Sequence, residues 1–185
     1  MDTIIENLSL LTMGSAQIAS SLKPSDVLYY QLEFSEDNYS TISKLVASTL
    51  NLSEKTSKGV VTGSFNTQPV SFQVNDAFHI TVLYTGGKVD DRASSLQSLI
   101  GKEFNVEIER IGMNQHYICI GVKIDESLPY YGNDIKHITF GLNKFDPKKK
   151  VFPKDSFFAL NPEHSNVVVL DEPIVIKANF SVKTK

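Results

Sequence analysis

The stretch HITVLY at residues 79–84 and the stretch HITFGL at residues 137–142 share the tripeptide His-Ile-Thr, each time followed by an apolar residue. Both lie in apolar, β-branched runs that are typical of strands. The chain has only four histidines, so two in one local context indicate a shared role. Because side chains at i and i+2 of a strand project to the same face, each histidine is expected to project with its threonine.

Alternation along each predicted strand separates a polar front from an apolar back. In the first strand, about residues 78–85, it places Leu83 on the histidine face and Tyr84 on the opposite face. In the second, about residues 136–142, it places Gly141 on the histidine face, where a missing side chain would leave room for a bound group. A single such tripeptide would indicate an ordinary strand surface, but two with matched faces favour a functional pair.

The residue types suit acid–base chemistry at phosphorus. Cleavage of a phosphodiester needs a base that activates water or a hydroxyl and an acid that protonates the leaving oxygen. Histidine can do either near neutral pH, since its unperturbed pKa is about 6.5. Threonine hydroxyls can donate hydrogen bonds to the non-bridging oxygens. Metal ligation is a poorer interpretation, because two histidines without a nearby carboxylate or cysteine set fall short of a usual zinc site.

Composition and charge limit the class of protein. A length of 185 residues with 41% hydrophobic residues suits one globular domain of one or two lobes. A net charge of −3 argues against nucleic-acid binding over the whole surface, although a local basic patch is compatible with it. Cys119, the one cysteine, lies in an apolar run and is expected to be a core residue. No apolar stretch approaches the ~20 residues of a membrane span and no secretory signal is evident, so we expect an intracellular protein without a membrane partner.

The order of predicted elements indicates an α+β fold with a mainly antiparallel sheet. Residues 1–25 are expected to form an N-terminal arm or short helix, and residues 26–185 a single domain. Besides the two His-Ile-Thr strands, the pattern predicts strands at about 26–34, 60–65, 70–74, 104–111, 117–124, 167–170 and 174–183, helices at about 35–52 and 90–100, and loops at 125–136 and 143–154.

Paired His-x-Thr-hydrophobic motifs on strands resemble the signature of the 2H phosphoesterases. That group includes bacterial and plant RNA cyclic phosphodiesterases, the cyclic phosphodiesterase domain of fungal tRNA ligases, and viral enzymes that degrade 2′-5′ oligoadenylate or cyclic dinucleotides. The resemblance implies a bilobal fold with mainly antiparallel sheets flanking a central groove. It also implies that His79 with Thr81 and His137 with Thr139 are catalytic, and that a 2′-linked phosphate is cleaved without a metal or other cofactor.

Further residues are candidates for substrate binding. Tyr130 and Tyr131 precede the second motif and could stack on a base, although a turn packed by its own tyrosines is an equal alternative. Tyr29 could line the groove, and Lys88 could reach a phosphate from the end of the first His strand.

A lysine cluster follows the second motif. It could attract an RNA or nucleotide phosphate, but a solvated charged loop is the favoured interpretation. The cluster comprises Lys144, Lys148, Lys149, Lys150 and Lys154.

The remaining histidines, His116 and His164, lack a threonine partner and are expected to be structural.

The sequence thus favours a phosphodiesterase that acts on the 2′,3′-cyclic phosphate of RNA or of nucleotides. An alternative enzyme would degrade a signalling nucleotide, such as 2′-5′ oligoadenylate or a cyclic dinucleotide, as an antagonist of host defence. A protein of another class, a non-catalytic nucleotide-binding or interaction module, would bind without turnover and tolerate replacement of either histidine. A zinc-dependent hydrolase would lose activity with a chelator.

Overall fold

A computed structural model describes residues 22–185 and confirms an α+β fold with one antiparallel sheet. Within the described residues the sheet dominates, and helical structure is limited to one α-helix and short 3-10 segments. The strands are β1 (Val27–Glu33), β2 (Val60–Phe65), β3 (Gln68–Val74), β4 (His79–Tyr84), β5 (Glu103–Met113), β6 (Tyr117–Ile124), β7 (His137–Leu142) and β8 (Asn166–Thr184). The helix is α1 (Glu36–Leu50), and the 3-10 segments are Pro24–Asp26, Asp91–Ser95, Gln97–Leu99 and Pro153–Leu160.

The eight strands follow the order β2-β3-β7-β6-β5-β8-β1-β4, and every neighbouring pair is antiparallel. The two longest strands divide the sheet, because β5 and β8 pair along two separate stretches. Residues 103–108 of β5 pair with residues 174–179 of β8, and residues 110–113 pair with residues 166–169. One half therefore runs β4, β1, β8, β5 from its His strand inward, and the other runs β7, β6, β5, β8 in equivalent order.

The two His strands also share a β-bulge at the same place. In β4, Thr81 pairs with Gln31 but Leu83 pairs with Tyr30, which leaves the residue after the threonine without a partner. In β7, Thr139 pairs with Cys119 and the ladder resumes two residues later with a register shift of the same kind. A bulge inserts one residue and increases the local twist of its strand. The repeat of the sequence motif is therefore also a repeat of backbone structure.

The bulges correct two predictions from strict alternation. After the bulge in β4, Tyr84 is 67% exposed instead of lying on the apolar back of the strand, whereas Leu83 is buried at 1% exposure. In β7, Gly141 is buried rather than open to a ligand. A Cβ atom built there would lie 3.3 Å from the Gln73 carbonyl oxygen and 3.3 Å from Phe72 Cβ. The absence of a side chain at Gly141 therefore lets the neighbouring strand β3 pack closely. An extra residue in a strand reverses the alternation beyond it, which periodicity cannot reveal.

Helix α1 confirms the helix expected at about 35–52. Ser35 caps it, since its side chain accepts a hydrogen bond of 3.2 Å from the Asn38 backbone N–H. Ile42 and Val46, one turn apart, are fully buried. They join the main core, which α1 covers where it packs against β5 and β8.

Three other predicted elements differ from the structure. Residues 90–100 form two short 3-10 segments instead of one helix, although Asp90 does cap the first and Leu96 is buried. The lysine-rich stretch leads into the 3-10 segment Pro153–Leu160, which the sequence pattern did not indicate. The last two predicted strands form the single strand β8.

The 3-10 segment Pro153–Leu160 packs directly on the sheet. Gly112 of β5 makes this possible, because a Cβ atom there would overlap the Ala159 carbonyl group. Together with β6 and β7 the segment encloses a second, smaller core cluster that contains Cys119. Cys119 is fully buried as predicted, and burial raises the pKa of its thiol to about 12, so it is an unreactive core side chain.

The arm or helix predicted for residues 1–25 falls mainly outside the described residues, apart from the short turn at Pro24–Asp26. Within residues 22–185, no helix has the length and apolar character required to cross a bilayer.

Candidate active site

The two His-Ile-Thr motifs line one cleft of about 670 Å³. His79 and Thr81 enter it from β4, and His137 and Thr139 enter it from β7. These strands are far apart in the hydrogen-bonded order of the sheet, yet they lie against each other in space. The sheet curves so that its β4 edge meets β7, and the four side chains converge between the two strands.

Asn75, in the connection from β3 to β4, joins the two His strands. Its backbone N–H donates to the Phe140 carbonyl at 3.0 Å, and its side-chain Nδ2 donates to the Thr139 carbonyl at 2.9 Å. Both acceptors belong to the second motif. Asn75 also lines the cleft itself. The chain that leads into the first motif is thus hydrogen-bonded to the backbone of the second.

The loop between β6 and β7 closes another side of the cleft. The Tyr131 backbone N–H donates to the Val82 carbonyl at 2.9 Å, so the loop follows the outer edge of β4. Gly132 is close to that edge, because a Cβ atom built there would lie 2.8 Å from the Thr81 carbonyl oxygen and 2.6 Å from Cζ of Tyr130. The loop therefore covers an exposed strand edge and places both tyrosines at the cleft.

A backbone contact orients the imidazole of His137. Its Nδ1 lies 2.7 Å from the Ile135 carbonyl oxygen, an acceptor, so Nδ1 carries the proton in the neutral ring. Nε2 is then the nitrogen that gains or loses a proton. Burial lowers the pKa of His137, and the hydrogen bond to Ile135 opposes this in part.

His79 is held by an aromatic neighbour. Its ring stacks on Tyr29, with 5.4 Å between centroids and an interplanar angle of 22°. Burial lowers the pKa of His79, and the positive charges of His137 and Lys183 lower it further. A positive charge on one histidine therefore disfavours protonation of the other.

The two threonines differ in their hydrogen bonds. Thr139 Oγ1 lies 2.6 Å from Ser156 Oγ and 3.2 Å from the Pro153 carbonyl oxygen. Ser156 is fully buried beneath it. The side chain of Thr81 makes no hydrogen bond to any of residues 22–185. A hydroxyl has one proton, so Thr139 can donate to a ligand only while Ser156 donates to it and its bond to Pro153 is released.

The predicted substrate-binding residues have different locations. Tyr130 and Tyr131 line the cleft, and Tyr29 lies beside it against His79. Lys88 lies outside it, in a separate pocket with Pro24 and Thr85. The preceding Gly86 and Gly87 have φ of 61° and 79° and donate to carbonyls at the start of β1, so the chain turns over that strand instead of the cleft.

Cationic residues that the motifs did not indicate surround the histidines. Arg92 lines the cleft, 5.5 Å from the Tyr131 ring centroid, and pairs with Asp90 at 2.7 Å. Lys154 lines the same cleft, and the charge of Lys183 reaches His79. One carboxylate, Asp76, is also in the lining. The lysine loop was a signal for Lys154, whereas Arg92 and Lys183 come near only through the fold.

Tyr130 presents a neutral phenol at this rim. Burial raises the pKa of Tyr130 to about 12, and Asp134 adds to this effect. The Lys136 ammonium lies 5.2 Å from the centroid of its ring. Aromatic faces and cations thus alternate along one side of the cleft.

Among residues 22–185, no group of three or more His, Cys, Asp or Glu side chains is placed to hold a metal ion.

The architecture is similar to a solved structure described as the crystal structure of a fungal RNA kinase. The similarity has a TM-score of 0.50 at 15% sequence identity and covers 86% of this chain and 46% of that one. This chain therefore spans about half the length of that structure, and the likeness concerns the fold. Neither a known family model nor a curated protein matches the sequence.

The lowered histidine pKa values predict how stability depends on pH. An unfolded histidine has a pKa of about 6.5, so below that pH the unfolded chain binds more protons than the folded one. The free energy of unfolding should therefore rise with pH from the folded pKa values to about 6.5 and then level off. His79→Gln and His137→Gln should each flatten this rise in urea denaturation between about pH 5 and 8. A rise unchanged in both cleft variants would contradict the burial assigned to these rings.

The contact between Ser156 and Thr139 predicts a cost for removing one hydroxyl. Ser156→Ala leaves a buried hydrogen-bonding partner incomplete and should lower the free energy of unfolding by about 1 kcal/mol. Ser48→Ala, at an exposed position of α1, removes the same atom and should change it by less than about 0.5 kcal/mol. Urea denaturation at neutral pH measures both. Equal stability of the two variants would show that the buried contact contributes nothing.

Proposed function

We propose that this protein is a metal-independent phosphodiesterase of the 2H type, which cleaves a 2′-linked nucleotide phosphodiester with His79 and His137 as its acid–base pair. One observation carries the proposal: two identical motifs, on strands with equivalent pairing and equivalent bulges, face one cleft. In this interpretation the two halves of the sheet are the two lobes of a bilobal fold. An ordinary strand surface would not require both pairs to meet.

The proposed reaction opens a 2′,3′-cyclic phosphate with water. One histidine removes a proton from water as its oxygen forms a bond to phosphorus. The bond from phosphorus to one ribose oxygen breaks, and the other histidine donates a proton to that oxygen. The product is a phosphate monoester with a free ribose hydroxyl. The reaction needs one neutral and one protonated histidine, and repulsion between two positive rings disfavours the state in which both are protonated.

The remaining groups of the cleft suit the charge of a phosphodiester. Thr81 can donate to one non-bridging oxygen, and Thr139 can donate to the other when Ser156 donates to Thr139. Arg92 and Lys154 add positive charge at the rim. Together these donors would stabilise the negative charge that grows on phosphorus in the transition state.

The size and lining of the cleft suit a nucleotide. A volume of about 670 Å³ lies within the range of small-molecule sites. Tyr84, Tyr130 and Tyr131 offer aromatic faces on which a base can stack. The similarity to a structure named as an RNA kinase supports an RNA-related substrate. It does not support kinase chemistry, because the 185 residues contain no G-x-x-x-x-G-K-[ST] phosphate-binding motif.

Turnover of a substrate panel at neutral pH in excess EDTA tests the proposal. The panel contains a 2′,3′-cyclic nucleotide, an RNA ending in a 2′,3′-cyclic phosphate, 2′-5′ oligoadenylate, and cyclic dinucleotides with and without a 2′-5′ bond. We expect cleavage of the cyclic phosphates, and a loss of about 10²–10⁴-fold in kcat for His79→Ala and for His137→Ala. Lys44→Ala, at an exposed position of α1 outside these cavities, is the control and should retain wild-type turnover.

Each other result has a distinct meaning. Cleavage of only the 2′-5′ oligoadenylate or a cyclic dinucleotide would identify an enzyme that degrades signalling nucleotides. Loss of activity in EDTA with rescue by zinc would identify a metal-dependent hydrolase. No cleavage of any substrate by the folded protein would contradict the proposal and favour a non-catalytic binding module.

A further inference from the structure

Residues 143–160, which follow the second motif, carry positive charge that the rest of the chain does not share. The segment contains five lysines and two aspartates, in a chain with a net charge of −3. The lysines are Lys144, Lys148, Lys149, Lys150 and Lys154, and all five are exposed. A local cationic surface on an acidic protein indicates an anionic partner at that place.

Exposed aromatic rings occupy the same segment. Phe145 is 53% exposed, Phe152 43% and Phe158 53%. Within residues 22–185 the one other large aromatic side chain with comparable exposure is Tyr84, which lines the cleft. The exposed aromatic rings are thus confined to the cleft and to the cationic segment beside it. Exposure of an apolar phenylalanine ring to water is unfavourable in free energy. Three exposed rings among lysines therefore suggest a ligand that has both flat faces and negative charge.

Phe152 connects this surface to the active-site cleft. The ammonium groups of Lys150 and Lys154 lie 5.5 and 5.8 Å from the centroid of its ring. Lys154 and Pro153 line the cleft, whereas Lys150 and Phe152 line an adjoining pocket of about 470 Å³. Phe152 of the adjoining pocket is therefore next in the chain to Pro153 of the cleft, and its ring lies near one lysine from each cavity.

The adjoining pocket is lined by an imidazole with an unpartnered ring nitrogen. His116 Nε2 lies 3.0 Å from Gln115 Nε2. Its Nδ1 is buried and has no hydrogen-bond partner among residues 22–185. Lys149 lies close enough for its charge to act on His116, and among the described residues Asp155 is the one carboxylate in the lining. A buried polar atom without a partner is stabilised when a ligand supplies one.

From this surface we infer that the substrate is single-stranded RNA, whose terminal phosphate occupies the cleft while the preceding nucleotides cross Phe152 into the adjoining pocket. The inference rests on the proposed function and names its substrate class. Aromatic faces stack on bases of any sequence, and lysines beside them bind successive phosphates. A free cyclic nucleotide would fill only the cleft and would leave this surface unused.

Turnover and binding measured as a function of RNA length test the inference. The substrates are a 2′,3′-cyclic mononucleotide and oligonucleotides of increasing length with a 2′,3′-cyclic phosphate end, and binding is followed by fluorescence anisotropy of labelled single-stranded RNA. The variants are Lys149→Ala/Lys150→Ala and Phe152→Ala. The control is Lys44→Ala/Lys58→Ala, which removes the same charge from exposed positions in none of these cavities.

We expect both surface variants to lower kcat/KM for the oligonucleotides by about tenfold and to change that for the mononucleotide by less than about twofold. For the double lysine variant, the slope of log affinity against log salt should fall by about 1.4, because each phosphate contact to a single strand contributes about 0.7. The control should match the wild type in both assays.

Two results would overturn the inference while leaving the proposed function intact. One is wild-type cleavage of the mononucleotide with no gain for longer RNA, and the other is equal loss with both substrate classes. The proposed function would fail separately if the wild type bound RNA at this surface, with the predicted sensitivity to the variants, but cleaved neither substrate.

Discussion

The approach of β4 to β7 is the constraint on which the site depends. Asn75, directly after β3 in the segment that leads to β4, donates two hydrogen bonds to the backbone of the second motif. The same approach buries both imidazoles and brings their charges close enough to interact, which lowers the pKa of His79. The geometry of the site and the lowered pKa of His79 therefore have one cause, which is that β4 and β7 meet although they are distant in the strand order of the sheet.

The two halves of the sheet have equivalent strands around the cleft but different side chains around each histidine. The two halves share strand order, motif and bulge, and this equivalence places a histidine on each side of the cleft. The surroundings then differ, since His79 stacks on Tyr29 whereas His137 is fixed by the Ile135 carbonyl. Thr139 rests on the buried Ser156, for which Thr81 has no counterpart within residues 22–185. His79 and His137 therefore lie in distinct environments on the two sides of the cleft.

The sequence predicted what depends on local pattern. The two His strands, helix α1 and the buried Cys119 follow from periodicity and composition, and they were found close to the predicted places. The predicted face of Tyr84 was wrong because a bulge depends on pairing with the neighbouring strand. Ser156, Arg92 and Lys183 were missed because only the folded chain brings them to the motifs. Lys88 is adjacent in sequence to the first motif, but the positive φ of two glycines turns it away.

The central claim is that His79 and His137 act together on one phosphate. A double-mutant cycle on kcat for a 2′,3′-cyclic nucleotide tests this most directly, with His79→Ala, His137→Ala and the variant that carries both. When two groups act as a unit, removing either one abolishes most of the rate enhancement. We therefore predict that kcat of the double variant lies within about threefold of kcat of the slower single variant. Losses that multiply in the double variant would show independent contributions and contradict the account.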